Sequence, residues 1–135
     1  MLHKINHIGI AVQSLDATIP FYRDSLGMLL MGVEEVAEQK VRVAMLEVGG
    51  SKIELLEPIG EDSPIAKFLE KNGPGIHHLA YEVGDIAAAI TKLQAGGTRM
   101  IDEKPRSGAH GALIAFVHPK SSNGVLTELC QVDHR

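Results

Sequence analysis

Two strand-like stretches carrying the same unusual face recur 71 residues apart, and this repeat limits the fold more than any other feature of the chain. The second reads Gly75-Ile-His-His-Leu-Ala-Tyr-Glu-Val83, with Ile76, His78, Ala80 and Glu82 alternating against His77, Leu79, Tyr81 and Val83. That is the two-residue period of a β-strand. The first reads His7-Ile-Gly-Ile-Ala-Val12. Here the His and the small residues share one face, and Ile8, Ile10 and Val12 form the other. A small residue beside a His on an inner face leaves room for something bound.

The segments after each copy also correspond. Leu15, Ile19, Tyr22 and Leu26 recur at helical spacing, with Gly27 as a stop. Pro20 lacks a backbone donor, so this helix is expected either to start late, near Thr18, or to have irregular first turns. Strands are predicted over 28–37, 41–48 and 51–57, the last two joined by a Gly49-Gly50 hairpin turn. Ser63-Pro64 opens a short helix that ends at Asn72-Gly73-Pro74. In the second half, Asp85 can cap a helix with Ile86, Ala89, Ile90 and Leu93 as its apolar stripe. A short strand at 99–101, a polar loop over 102–111, and strands over 112–118 and 124–131 complete it.

Each half therefore reads strand, helix, three strands, an internal duplication found by pattern. The expected fold class is α+β, with paired βαβββ modules at 1–58 and 75–135 joined by 59–74, forming a curved mixed sheet around one site in a single compact domain.

The duplication extends to two carboxylates. Glu54 lies within Lys52-Ile-Glu-Leu-Leu-Glu57 and Glu128 within Val125-Leu-Thr-Glu-Leu129, each in the middle of a predicted strand among apolar neighbours. Burying a Glu there is costly without a partner. If His7, Glu54, His78 and Glu128 face one cavity, a single divalent cation offsets that cost. Two imidazoles and two carboxylates suit Mn, Fe, Co, Ni or Zn without choosing among them. Alternation turns His77 away from His78, so His77 is expected to bind no metal.

Composition removes other classes. A net charge of −4 without a Lys/Arg cluster argues against a nucleic-acid partner. No segment is long and apolar enough to span a membrane, and residues 1–12 lack the features of a secretion signal. The single cysteine, Cys130, is expected to be a buried strand residue and fits a reducing, cytoplasmic setting.

Five motifs carry a resemblance: His7-Ile-Gly-Ile-Ala-Val12, Glu54-Leu-Leu-Glu-Pro58, Asp62-Ser-Pro-Ile-Ala-Lys-Phe-Leu69, Gly75-Ile-His-His-Leu79, and His118-Pro-Lys120 with Gly124-Val-Leu-Thr-Glu128-Leu. By them the chain resembles the vicinal oxygen chelate superfamily and, within it, the methylmalonyl-CoA epimerase family, over essentially its whole length. The resemblance implies a homodimeric isomerase that moves the α-proton of an acyl-CoA substrate, methylmalonyl-CoA, with a divalent ion (Co, Mn, Ni or Zn) as cofactor. It also implies that Glu128 is one acid/base group as well as a metal ligand. The second would be Glu38, in Ala37-Glu-Gln-Lys-Val41 where the family has Pro-Glu-Gln-Gly-Val; Ala37 and Lys40 depart from that pattern. Glu47, on the apolar strand, is the fallback. Lys120, Arg106 and Lys104 are candidates for coenzyme A phosphates. Two alternatives stay open: a glyoxalase I-type lactoylglutathione lyase, and a non-catalytic binding protein of the same fold.

Overall fold

The computed structural model describes residues 1–132, so the last three residues of the second predicted module lie outside the described residues. The chain packs as two units, one of residues His7–His77 and the other of Met1–Asn6 with His78 onward. Strand β1 (Leu2–Ala11) thus contributes its first residues to one unit and its last to the other.

In the His7–His77 unit, β1 is followed by α1 (Leu15–Pro20), β2 (Leu29–Val36), β3 (Val41–Val48), β4 (Ser51–Pro58) and α2 (Pro64–Asn72). The strand order is β2-β3-β4-β1. β4 runs parallel to β1 and antiparallel to β3. The β3–β4 hairpin turns at Gly49, whose φ of 60° favours glycine, with Val48 opposite Ser51. Apolar side chains of one sheet face, Ala44, Leu46 and Leu55, pack with Val12 and with Leu15 and Ile19 of α1 to form this unit's core. That leaves the opposite face, with His7 and Glu54, for other work.

Pro20 acts differently from either expectation. Helix α1 starts early, at Leu15, because the Ser14 side chain accepts a hydrogen bond from the Ala17 N–H at 3.2 Å. The irregularity comes after the proline: residues Phe21–Ser25 form a π-helical turn, and the Leu26 N–H reaches back five residues to the Phe21 carbonyl at 2.9 Å. Proline cannot donate to the carbonyl four residues before it, and the helix loosens at that point. A second support for α1 comes from β4, where a Glu57 carboxylate oxygen accepts from the Leu15 N–H at 2.7 Å. Arg42 Nη1 donates to the other Glu57 oxygen at 3.0 Å. Helix α2 begins as the sequence indicates, with Pro64 in its first turn and the Ser63 hydroxyl accepting from the Ile65 N–H.

In the second unit, β5 (Gly75–Val83) leads to α3 (Ile86–Ala95), β6 (Arg106–Ser107), β7 (Leu113–Val117) and β8 (Thr127–Gln131). The order is β5-β8-β7-β6, again with one parallel pair, β5 and β8. Asp85 caps α3 by accepting from the Ala88 N–H at 3.1 Å, and the Gln131 side chain accepts from the Ile86 N–H at 2.9 Å. Gln131 repeats for α3 what Glu57 does for α1. Ile86, Ala89 and Ile90 of α3 pack on Ala115, Val117 and Leu129, one face of the β7–β8 pair. Cys130 is buried on the other face beside Ile114 and Phe116. The α+β class, with mixed strands in βαβββ order, is as the sequence predicted.

The predicted strand at 99–101 is a single bridge between Met100 and Val117. Past it, the N–H groups of Ile101 and Asp102 both turn to the Phe116 carbonyl, and an Asp102 carboxylate oxygen accepts from the Phe116 N–H at 2.9 Å. With a side chain standing in for the next backbone partner, the ladder stops. The short strand that does pair with β7 is β6, inside the expected loop. Gly108 allows this close approach, since a Cβ there would lie 2.7 Å from Ile114 Cγ2.

Candidate metal centre and acid/base residues

Strand register explains how each Glu reaches its His. In the first unit Gly9 stands directly opposite Glu54, and His7, two residues before Gly9, shares its face. With no side chain at Gly9, the Glu54 carboxylate extends to His7, and Oε2 lies 3.2 Å from His7 Nδ1. In the second unit Ala80 stands opposite Glu128, and His78 precedes Ala80 by two. There Glu128 Oε1 lies 3.2 Å from His78 Nε2. The room left by the small residues is filled by the carboxylates themselves.

All four groups are out of solvent: His7 is 3% exposed, Glu54 6%, His78 5% and Glu128 4%. A buried carboxylate requires compensation by a proton, a cation or a metal ion. His7, Glu54 and His78 each offer a ligand atom of a type that binds a metal ion. The spacing within each pair also fits. Neighbouring donors on an octahedral ion with bonds of about 2.1–2.2 Å stand roughly 3.0–3.1 Å apart. The His78 ring is further held by Phe116, edge-on at 5.5 Å between centroids. His77 points the other way, its half-buried ring edge-on to Phe68 at 5.0 Å. Both are placed by the alternation of β5.

Glu38 sits apart from this buried chemistry, exposed on a 3-10 turn (Ala37–Gln39) between β2 and β3. The turn is nonetheless well held. Lys40 takes the left-handed conformation (φ 54°, ψ 50°) that glycine adopts freely, which is how a lysine stands where the resembling family has Gly. Its N–H donates to the Ala37 carbonyl at 3.1 Å, and its carbonyl accepts from the Ile59 N–H at 2.9 Å. Its Nζ forms an ion pair with Asp62. The Lys40 hydrogen bond, then its charge, hold the Asp62 carboxyl below its usual pKa. Glu47 lies on the face of β3 that Met45 shares with Glu54, but it is exposed, beside Lys52 near the hairpin end.

In the His118-Pro119-Lys120 segment, His118 Nδ1 accepts from the Lys120 N–H at 3.1 Å. Partial burial, then the charges of Arg99 and Lys120, lower the His118 pKa. The helix-pinning side chains Glu57 and Gln131 were not singled out by the sequence. Each follows its strand's candidate metal-binding Glu by three residues, a spacing the duplication could have revealed.

The model of the Glyoxalase/Bleomycin resistance protein/Dioxygenase superfamily matches residues 6–116. The ethylmalonyl-CoA/methylmalonyl-CoA epimerase of Cereibacter sphaeroides is 46% identical over 134 residues, spanning 98% of this chain and 100% of that one. The mitochondrial methylmalonyl-CoA epimerase of Homo sapiens is 42% identical over 131 residues, 96% of this chain and 74% of that one. A methylmalonyl-CoA epimerase solved in complex with methylmalonyl-CoA and NH4+ superposes with a TM-score of 0.95 at 43% identity, over 99% of this chain and 97% of that one. Matched over most of its length in sequence and in fold, the chain belongs to the Glyoxalase/Bleomycin resistance protein/Dioxygenase superfamily.

Proposed function

We propose that this protein is an epimerase that interconverts (2R)- and (2S)-methylmalonyl-CoA by removing and returning the α-proton. The observation that carries this is the end-to-end likeness to epimerases of that substrate, one of them solved with methylmalonyl-CoA bound. A glyoxalase I-type reaction has less support, because the epimerases of Cereibacter sphaeroides and Homo sapiens match at 46% and 42% identity, against 33% for a probable lactoylglutathione lyase of Vibrio cholerae.

His7, Glu54, His78 and Glu128 would together hold one divalent ion, each duplicated module (1–58 and 75–135) supplying one His–Glu pair. A lone buried ion pair would account for either contact. Its recurrence at matched strand positions, at 3.2 Å in each, supports a common role for the two pairs as metal ligands. The ion would supply positive charge at the thioester oxygen where the enolate charge develops, worth several kcal/mol in the transition state. The donor set suits Co, Mn, Ni or Zn alike.

The chain's own groups move the proton. Glu128 takes it from one side of the α-carbon. Glu38 delivers a proton to the other side of the planar enolate, so that the centre inverts. The turn held by Lys40 and Asp62 would bring Glu38 to the substrate. A homodimer working in the cytoplasm fits the resemblance and the single cysteine. Among the described residues, no helix is long and apolar enough to cross a membrane.

The test is solvent exchange. In D2O, with divalent metal and neither glutathione nor oxygen, the protein should wash deuterium into the α-position of methylmalonyl-CoA. A requirement for glutathione and methylglyoxal would replace this reading with the lyase.

A further inference from the structure

We propose that Arg106 recognises the free carboxylate of the substrate and makes the enzyme selective for malonyl-type thioesters. This rests on the epimerase reading and adds to it the group that distinguishes such substrates from simple acyl-CoA esters.

The register places Arg106 on the same sheet face as the second His–Glu pair. Arg106 lies opposite Ile114 on β7, Ile114 shares its face with Phe116, and Phe116 lies opposite Glu128 on β8. The guanidinium carbon stands over the Phe116 ring, 5.5 Å from its centroid. The same ring meets His78 edge-on at 5.5 Å. Phe116 therefore packs against both the cation and the imidazole.

The head group is restrained on one side and open on the other. Arg106 Nε is buried and lies 3.2 Å from an Asp102 carboxylate oxygen, within ion-pair range but without the alignment of a hydrogen bond. The other Asp102 oxygen is committed to the Phe116 N–H. Among the described residues, Asp102 is the carboxylate that pairs with Arg106, and it does so through Nε. The two Nη groups, the fork that grips a carboxylate in two places, are left for a ligand. The side chain is 40% exposed, so a ligand can reach it.

Gly108 fixes the base of this arm. Its N–H donates to the Ala112 carbonyl at 2.9 Å, and Ile114 occupies the space a Cβ at Gly108 would need, so that β6 lies close against β7. A cation held this firmly on the face of the candidate metal ligands suits the anionic end of a short dicarboxylic thioester. A site built around such a group strongly rejects the analogue that lacks it.

The experiment measures binding of methylmalonyl-CoA and of propionyl-CoA, which lacks the carboxylate, to metal-loaded wild-type, Arg106→Gln and Arg106→Lys proteins. Wild-type protein should prefer methylmalonyl-CoA. Arg106→Gln should lose about 10- to 100-fold in affinity for methylmalonyl-CoA with propionyl-CoA unchanged. Arg106→Lys should fall between, keeping charge without the fork. Metal content should be equal in all three, which a general loss of structure would not allow. Equal weakening of both thioesters would show that Arg106 meets a coenzyme A phosphate, and unchanged binding of both would show that it meets neither; either result overturns the proposal. If the wild-type protein exchanges no α-proton of methylmalonyl-CoA, the epimerase reading itself falls, and this inference with it.

Discussion

Glu54 and Glu128 occupy equivalent places, opposite a small residue and 3.2 Å from a buried imidazole nitrogen, yet their amide variants should behave differently. Glu54→Gln keeps an oxygen donor of nearly the same shape. One amide oxygen can take the place of Oε2 beside His7, and the NH2 group falls where the second carboxylate oxygen was. The loss is one negative charge in a site 6% exposed, which weakens metal binding but leaves the reacting group intact. Glu128→Gln makes the same change of charge at 4% exposure, and also removes the only basic oxygens of the proposed proton acceptor. An amide oxygen cannot take up a proton near neutral pH. A missing general base costs about 10²- to 10⁴-fold in rate, or about 2.7–5.4 kcal/mol of barrier. At matched metal occupancy, set by metal analysis of each sample, Glu54→Gln should retain much of the epimerisation rate and Glu128→Gln should lose at least about a hundredfold. A larger loss from Glu54→Gln would show that Glu128 only binds metal and that the base lies elsewhere.

Replacing His7 or His78 by Ala should release bound metal, measured after dialysis, whereas His77→Ala should retain it because that ring packs on Phe68; equal loss from His77→Ala and His78→Ala would refute the assignment of faces. Asp62→Asn should lower stability slightly at neutral pH, because the folded-state pKa of Asp62 is held down by Lys40. The sign follows from linkage: the contribution is present above the unfolded carboxylate pKa of about 3.9 and vanishes as pH falls through the lower folded value. Melts of the two proteins should therefore converge in acid and in high salt, and a difference that persists there would point to something other than the ion pair.

The sequence made the duplicated strands legible because small residues, His and Glu recur on one face at period two, a pattern that packing alone does not require. The same alternation separated His78 from His77. Caps were equally readable: Ser63 and Asp85 supply side-chain acceptors where first-turn N–H groups need them. The misses have a common cause. At Pro20 the sequence announced a fault but not its direction, because the Ser14 cap set the helix start and pushed the irregularity into the following turn. The strand predicted at 99–101 yielded to β6 through Asp102, whose side chain took a backbone acceptor's place. Arg106 carried only a generic hint as an exposed base, since its register with Ile114 depends on Gly108 fitting against β7. Long-range side-chain contacts of this kind, like those of Glu57 and Gln131 with helix starts, leave no local period to detect.

The division of β1 between the two units has a consequence for how the molecule is made. Asn6 Nδ2 donates to a Glu82 oxygen 76 residues away at 3.3 Å, and His3 lies 3.7 Å from the same carboxylate. On a ribosome adding about 5–20 residues per second, the first segment would wait roughly 4–15 s for that partner to be synthesised. During that interval residues 2–6 are nascent chain without their native neighbour, while the intervening strands can already pair. Closing so long a loop late also makes this the slowest kind of contact for a refolding chain to find. Residues 2–6 are therefore translated well ahead of the partner they need and belong to a unit of the fold that is completed later.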